Sequence, residues 1–293
     1  MKVHAVSIAV RLPRARPRAV AALRYCGRVT QPTPDQLAED LRFARDLADM
    51  AHVVSLARFR ALDLTIETKP DRTPVTDADR AVENALRAAL REERPDDTVY
   101  GEEFGGELQS GRQWIIDPID GTANFLRGVP VWGTLIALAV DGDPVVGVVS
   151  APALGLRWWA ARGQGAWVVE QGSAPRRISV SGVRDLTDAS LSYNDLQYWR
   201  KAGRTDQLLA LADTVWRTRA YGDFWAYMMV AEGTIDLVGE FGPAVYDLAA
   251  LAPIIEEAGG RITSISGVRD FSAGDALASN GLLHDAAVAA VAP

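Results

Sequence analysis

Asp117 and Asp120 are the pair whose type and spacing speak most directly of chemistry. They lie in Trp114-Ile115-Ile116-Asp117-Pro118-Ile119-Asp120-Gly121-Thr122-Ala123-Asn124-Phe125. The apolar residues before Asp117 read as the buried end of a strand that leaves the core there, and Pro118 forbids further ladder pairing. A tight turn then aims both carboxylates into one small volume. Gly121 lets backbone approach a ligand closely, and the free N–H groups that open the next segment attract an anion. Two carboxylates beside an anion site repel each other unless a cation lies between them. The chemistry predicted is a divalent metal held by oxygen ligands and presented to a phosphate.

Other acids stand at the ends of segments, where sites on α/β scaffolds are built. Thr76-Asp77-Ala78-Asp79 opens a helix, Glu102-Glu103 follows a short strand, and Asp247 sits in the apolar run 244–251. Each also has a plain reading: a helix cap for Asp79 and for Asp247, a solvated turn for Glu102 and Glu103. No nucleophile stands beside them. His4, His52 and His284 fall in no motif, and Cys26 lies near the N-terminus.

The elements that must position these groups follow from periodicity. Leu37, Leu41, Ala44, Leu47, Ala48, Ala51 and Val54 recur at helical spacing, predicting a helix from Pro34 to about Phe59. Residues 62–68 alternate apolar and polar, as a half-buried strand does. A turn-rich loop over 69–79 leads into a helix from Ala81 to Glu93. Residues 134–140 and 145–150 form a hairpin about Asp141-Gly142-Asp143, and 156–160 pairs with 165–169. Residues 176–180 add an edge, so this part is an antiparallel sheet flanked by the earlier helices. Beyond residue 184 come strands at 189–193, 235–240, 261–263 and 276–279. Helices are predicted at 205–214, 222–232 and 246–258, and from His284.

Composition sets the outer bounds. The chain has 293 residues, is 48% hydrophobic and 24% charged, and carries a net charge of −7. That acidity argues against a nucleic-acid surface, and no apolar run reaches membrane-spanning length. One cysteine builds neither a disulfide framework nor a thiolate zinc site, which fits a reducing cytoplasm. Residues 1–34 are Arg-rich with no acid, and read as a disordered extension. The remainder reads as one compact unit of two α/β layers, an N-terminal α+β part, 35–183, with the Asp117–Asp120 metal site, and a C-terminal α/β part, 184–293, to which the resemblance described next assigns the substrate pocket and one metal ligand.

Lys69 to Asp79, Gly101-Glu102-Glu103, Trp114 to Phe125, and Tyr246-Asp247 with Gly259-Gly260 occur in this order. Together they resemble the inositol monophosphatase family of Mg²⁺-dependent phosphomonoesterases, over residues 37 to 285. The resemblance implies a layered α-β-α-β-α sandwich, an α/β (α+β) fold of the inositol monophosphatase and fructose-1,6-bisphosphatase type, and a homodimer. It implies a first Mg²⁺ on Glu102, Asp117 and the Ile119 carbonyl, and a second on Asp117, Asp120 and Asp247. A third, weaker ion would be held by Asp79 and Glu102 through waters. Thr122, oriented by Asp79, would position or deprotonate the attacking water, with Glu102 completing the catalytic set. The N–H groups of Gly121 and Thr122 would hold phosphate oxygens. Tyr246 stands where the family usually has Trp, a change of packing and not of ligand. Lys69 either contacts the phosphate region or sits on its loop.

The leaving alcohol is the remaining question. Inositol-specific members carry a small or hydroxyl residue where this chain has Asp223, in Tyr221-Gly222-Asp223-Phe224-Trp225. Glu240, seven residues before Asp247, is at the family position that contacts substrate, and Asp247 itself borders the substrate. Two acids with nearby aromatic rings describe a pocket for an ammonium or imidazolium. This resembles the family's bacterial histidinol-phosphatase branch, and implies hydrolysis of L-histidinol phosphate in histidine biosynthesis. Asp223 as an N-cap is the plain alternative. An inositol-1-phosphatase, a 3′-phosphoadenosine phosphatase or an inactive regulatory binding protein are the other readings.

Overall fold

The computed structural model describes residues 31–69 and 73–292 of the chain. Most of the predicted extension, with Cys26, and residues 70–72 of the loop before Asp79 lie outside the described residues. Helix α1 (Pro34–Arg58) starts at a capping box between Thr33 and Gln36 and buries the predicted stripe from Leu37 to Ala51. Strands β1 (Ile66–Thr68) and β2 (Pro74–Thr76) form a small ribbon that feeds α2 (Asp77–Glu93). Next come β3 (Thr98–Gly101), β4 (Arg112–Asp120), α3 (Thr122–Leu126), β5 (Gly133–Val140) and β6 (Asp143–Ala151). Strands β7 (Leu156–Ala161), β8 (Ala166–Glu170) and β9 (Arg176–Arg177) finish a seven-stranded sheet ordered β3 to β9, antiparallel except for β3 beside β4.

The second half contains β10 (Ser190–Tyr193), α4 (Leu196–Lys201), α5 (Thr205–Thr214), β11 (Arg217–Arg219), α6 (Asp223–Ala231) and β12 (Leu237–Phe241). It ends with α7 (Val245–Leu248), α8 (Leu251–Glu257), β13 (Arg261–Thr263), β14 (Asp275–Ser279) and α9 (His284–Val291). Its five strands run β11-β10-β12-β14-β13.

Three apolar clusters stack these pieces into layers. Leu41, Leu47, Val82 and Leu86 of α1 and α2 pack on Trp114, Ile136 and Val148 of the larger sheet. The opposite face of that sheet, with Leu135, Val149 and Trp158, meets Tyr227 and Met228 of α6 and Ile254 of α8. These in turn meet Val238 and Ala278 of the smaller sheet. Leu191, Leu237 and Leu277 on its far side bury Trp199 of α4, Leu208 of α5 and Ala287 of α9. The result is the α-β-α-β-α sandwich.

The middle helical layer sits very close to the larger sheet. A Cβ added to Gly147 of β6 would stand 2.1 Å from the carbonyl oxygen of Ala250, between α7 and α8. Gly147→Ala must therefore push apart the layer that carries Asp247. It is expected to lower stability by about 3 kcal/mol, roughly 6–12 °C in Tm, measurable by thermal unfolding.

Several expectations need correction. The strand predicted over 62–68 is paired only over β1, which is exposed, as is Leu62. The ribbon lies on neither sheet, so its alternation has no layer to cover it. The helix predicted from Ala81 begins at Asp77, so Asp79 is in its first turn. The helix predicted over 246–258 breaks into α7 and α8, because Pro253 offers no N–H to the Ala249 carbonyl. Neither α4 nor β11 was expected.

Candidate active site

Strand β4 does not end at Asp117. It continues to Asp120, which pairs with Gly133, and its register against β5 shifts between the two acids. Three residues of β4 advance there against two of β5, which is a bulge. In regular pleating, residues three apart face opposite sides. The extra residue cancels that alternation and brings Asp117 and Asp120 to one side. Pro118, with no N–H to donate, suits the irregularity. The Ile119 side chain is buried against Phe125 and Trp132, whose ring centroids are 4.8 Å apart, and this packing fixes the turn.

Asp247 of α7 joins them: one carboxylate oxygen from each of Asp117, Asp120 and Asp247 lies within 4.8 Å of the others. Backbone amides hold all three in place. Ile119 N donates to Asp117 at 3.0 Å, Phe224 N to Asp120 at 2.7 Å, and Ala244 N to Asp247 at 2.6 Å. Each of these amides engages one oxygen of its carboxylate. Burial first, then the charge of Glu102 on Asp117 and of Asp223 on Asp120, pushes these two carboxyls well above the usual range, and burial with Asp223 pushes Asp247 up to about 6. No Lys or Arg pairs with these three among the described residues. Such a cluster is charge-deficient on the cation side, and its all-oxygen donor set fits a hard divalent ion.

Glu102 borders the cluster, close enough to Asp117 to raise its proton affinity. Lys69 Nζ bonds Glu102 at 2.8 Å and Glu103 at 2.7 Å, so the lysine faces the site and not solvent. Burial alone would lower the Lys69 pKa, but those two partners raise it overall. The loop holding both glutamates is fixed by Glu83 of α2, which accepts from Glu103 N at 2.7 Å and Phe104 N at 3.3 Å.

Asp79 caps its helix with one carboxylate oxygen and turns the other toward Thr122. Its Oδ2 accepts from Thr76 N at 2.8 Å and from Thr76 Oγ1 at 2.5 Å, completing the capping box of α2. Its Oδ1 faces Thr122 Oγ1 at 3.1 Å. That hydroxyl also lies 3.0 Å from the Ile119 carbonyl. One proton serves one acceptor at a time, so donation to Asp79 leaves the Ile119 carbonyl available. Burial raises the pKa of Asp79.

Beyond the cluster opens a cavity of about 230 Å³, lined in part by Asp195, Asp223, Tyr227, Glu240 and Asp247. Asp223 is not an N-cap: Gly222 holds that position, and Asp223 is the first residue of α6, at φ 48°. Its Oδ2 accepts from Asn124 Nδ2 at 2.8 Å and would lie 3.3 Å from a Cβ on Gly121, whose own φ is 81°. The Tyr227 hydroxyl donates to Glu240 at 2.6 Å. Burial, then Asp247 and Asp223, push Glu240 up to about 8 against that hydrogen bond.

The site thus gathers Asp79, Glu102, Asp117, Ile119, Asp120, Gly121, Thr122, Asp223, Glu240 and Asp247. The sequence reading missed Glu83, Asn124, Tyr227 and Asp195. Two of these carried a signal: Glu83 follows Asp79, and Tyr227 follows Asp223, by four residues on one helix face.

Comparison with known proteins agrees with this geometry. The model for the inositol monophosphatase family matches residues 36–293. A histidinol-phosphatase of Mycobacterium tuberculosis is 58% identical over 248 residues, covering 84% of this chain and 95% of that protein. A histidinol-phosphatase of Streptomyces coelicolor is 54% identical over 256 residues, covering 86% and 96%. Among solved structures, an inositol monophosphatase from Zymomonas mobilis superposes with a TM-score of 0.76 at 34% identity, covering 87% of this chain and 98% of that one.

Proposed function

The chain belongs to the inositol monophosphatase family, and from that premise we propose that it is a Mg²⁺-dependent phosphomonoesterase converting L-histidinol phosphate to L-histidinol and phosphate. The observation that carries the substrate is the charge around the cavity. Asp195, Asp223 and Glu240 line it together with Asp120 and Asp247, and no Lys, Arg or His does so among the described residues. A neutral polyol would leave Asp195, Asp223 and Glu240 without a cation. An alcohol bearing an ammonium and an imidazole satisfies them.

Asp117, Asp120, Asp247, Glu102 and the Ile119 carbonyl would hold two Mg²⁺ ions, with Asp79 reaching a third through water. When bound, these ions lower the pKa of water and neutralise charge on the ester oxygens. The chain's own groups do the rest. Thr122 accepts a proton from the attacking water and passes its own to Asp79, whose burial suits it to receive one. Amides of Gly121 and Thr122 hold phosphate oxygens. Asp223 and Glu240 take the ammonium of the alcohol, with Tyr227 holding Glu240 in place. The reading includes a cytoplasmic homodimer in histidine biosynthesis, the compartment supported by the single cysteine.

The test compares kcat/KM for histidinol phosphate, inositol-1-phosphate and 3′-phosphoadenosine phosphate. Histidinol phosphate is expected to lead by about 10³-fold or more, as a site built for polar groups rejects analogues lacking them. Chelation should stop turnover on all three esters. Equal rates would make the enzyme an unselective phosphatase, and hydrolysis undiminished by chelator would remove the metal from its mechanism.

A further inference from the structure

One wall of the cavity has so far figured only through the charge of Asp195. Asn194, Asp195 and Tyr198, from the turn before α4 and from α4 itself, line it beside Phe241 and Gly242. The wall is built in place. Asn194 Nδ2 donates to the Phe241 carbonyl at 2.8 Å, tying that turn to β12. The Phe241 ring meets Trp199 edge-on, with centroids 4.9 Å apart. Asp195 spends one oxygen capping α4, accepting from Gln197 N at 2.8 Å. The Tyr198 ring lies so close to Gly242 that a Cβ there would be 2.7 Å from its Cδ1 and Cε1, and Gly242 has φ 98°. Only glycine leaves the ring its place. Tyr198 nevertheless remains exposed, with 44% of its surface accessible.

The layout of the cavity matches the order of groups along the ester. The phosphate belongs at Asp120 and Asp247, beside Gly121. The carbon bearing the ammonium comes next, where Asp223 approaches Gly121 and Glu240 stands on Tyr227. The imidazole, one methylene further on, reaches the open rim. We propose that Tyr198 and Asp195 recognise this ring, Tyr198 by stacking and Asp195 by accepting the ring N–H. The proposal rests on the histidinol-phosphate reading and adds the residues that select the aromatic end of the substrate.

The experiment uses histidinol phosphate beside the phosphate ester of 2-aminopropan-1-ol, which keeps the ammonium and lacks the ring. Tyr198→Ala is expected to lower kcat/KM for histidinol phosphate about 30-fold, mainly through KM, and to leave the ring-free ester within about twofold. Tyr198→Phe should retain most of the selectivity, and Asp195→Asn should lose about fivefold on histidinol phosphate alone. Should the alanine variant misfold by circular dichroism, Tyr198→Leu carries the same comparison. Equal losses on both esters would make Tyr198 a packing residue, and no loss on either would leave the ring unread here. Both results overturn the proposal while the wild-type lead of histidinol phosphate over inositol-1-phosphate stands. Absence of that lead would overturn the underlying reading and this one with it.

Discussion

Asp120→Asn is expected to lower kcat by about 10³-fold or more on every phosphate ester and to leave the protein folded. Asn keeps the shape of the side chain, and its carbonyl oxygen can still accept the 2.7 Å bond from Phe224 N. What it removes is the charge that a divalent ion needs. The loss falls on the phosphate end of the site, so it should not depend on the alcohol. A second readout separates this from damage to the fold. Burial first, then Asp223 and Asp247, hold the Asp120 carboxyl well above its ordinary value. A carboxyl raised in this way gives stability that is complete below its unfolded pKa and is lost as pH climbs through the folded one. Metal-free wild type therefore weakens from about pH 4 upward. The variant carries no such charge. In chelator near neutral pH it should melt several degrees above wild type, and saturating Mg²⁺ should reverse the order. Turnover within tenfold of wild type, or a metal-free variant that melts lower, would show that Asp120 is no part of a cation site.

The sequence was most legible where chemistry and backbone constraint coincide. Asp117, Pro118, Asp120 and Gly121 announce a convergent pair, because proline restricts the path between the two acids and glycine after them lets backbone approach a ligand. The bulge that brings the acids to one side was not legible, since it depends on how β5 pairs across from them. Asp79 reads in the sequence as a cap or a site residue; one of its oxygens caps α2 and the other faces Thr122. The hidden residues act through partners far along the chain: Asn124 meets Asp223, and Glu83 meets the amides of Glu103 and Phe104. Distance in sequence conceals such pairs. Helix α4 escaped notice because six residues are too few to show a period, yet it builds the open side of the cavity. Pro253 splits the run 246–258 by withholding an N–H from the Ala249 carbonyl, although its apolar neighbours continue the helical pattern.

Asp223→Asn is expected to cost about 10²-fold in kcat/KM for histidinol phosphate and to spare inositol-1-phosphate. Asparagine is the informative replacement for a conformational reason. Asp223 sits at φ 48°, a left-handed position that Asn tolerates and that costs Ala about 1 kcal/mol. An alanine variant would mix lost charge with backbone strain. Asn also keeps an oxygen for the 2.8 Å bond from Asn124, so α3 and α6 stay tied. The charge alone is deleted. Two consequences then run in opposite directions. The ammonium of histidinol phosphate loses a partner in a partly desolvated pocket, which weakens binding and the transition state alike. Asp120 loses a neighbour that repels its ionised form, so the cation cluster becomes easier to assemble. Inositol-1-phosphate, with no cation to lose, feels only the second effect, and its rate should hold or rise. The ratio of kcat/KM values for the two esters, measured with Mg²⁺ in both proteins, isolates recognition from chemistry. A parallel fall on both would place Asp223 among the groups that build the phosphate end, and unchanged rates on both would leave the amine to Glu240.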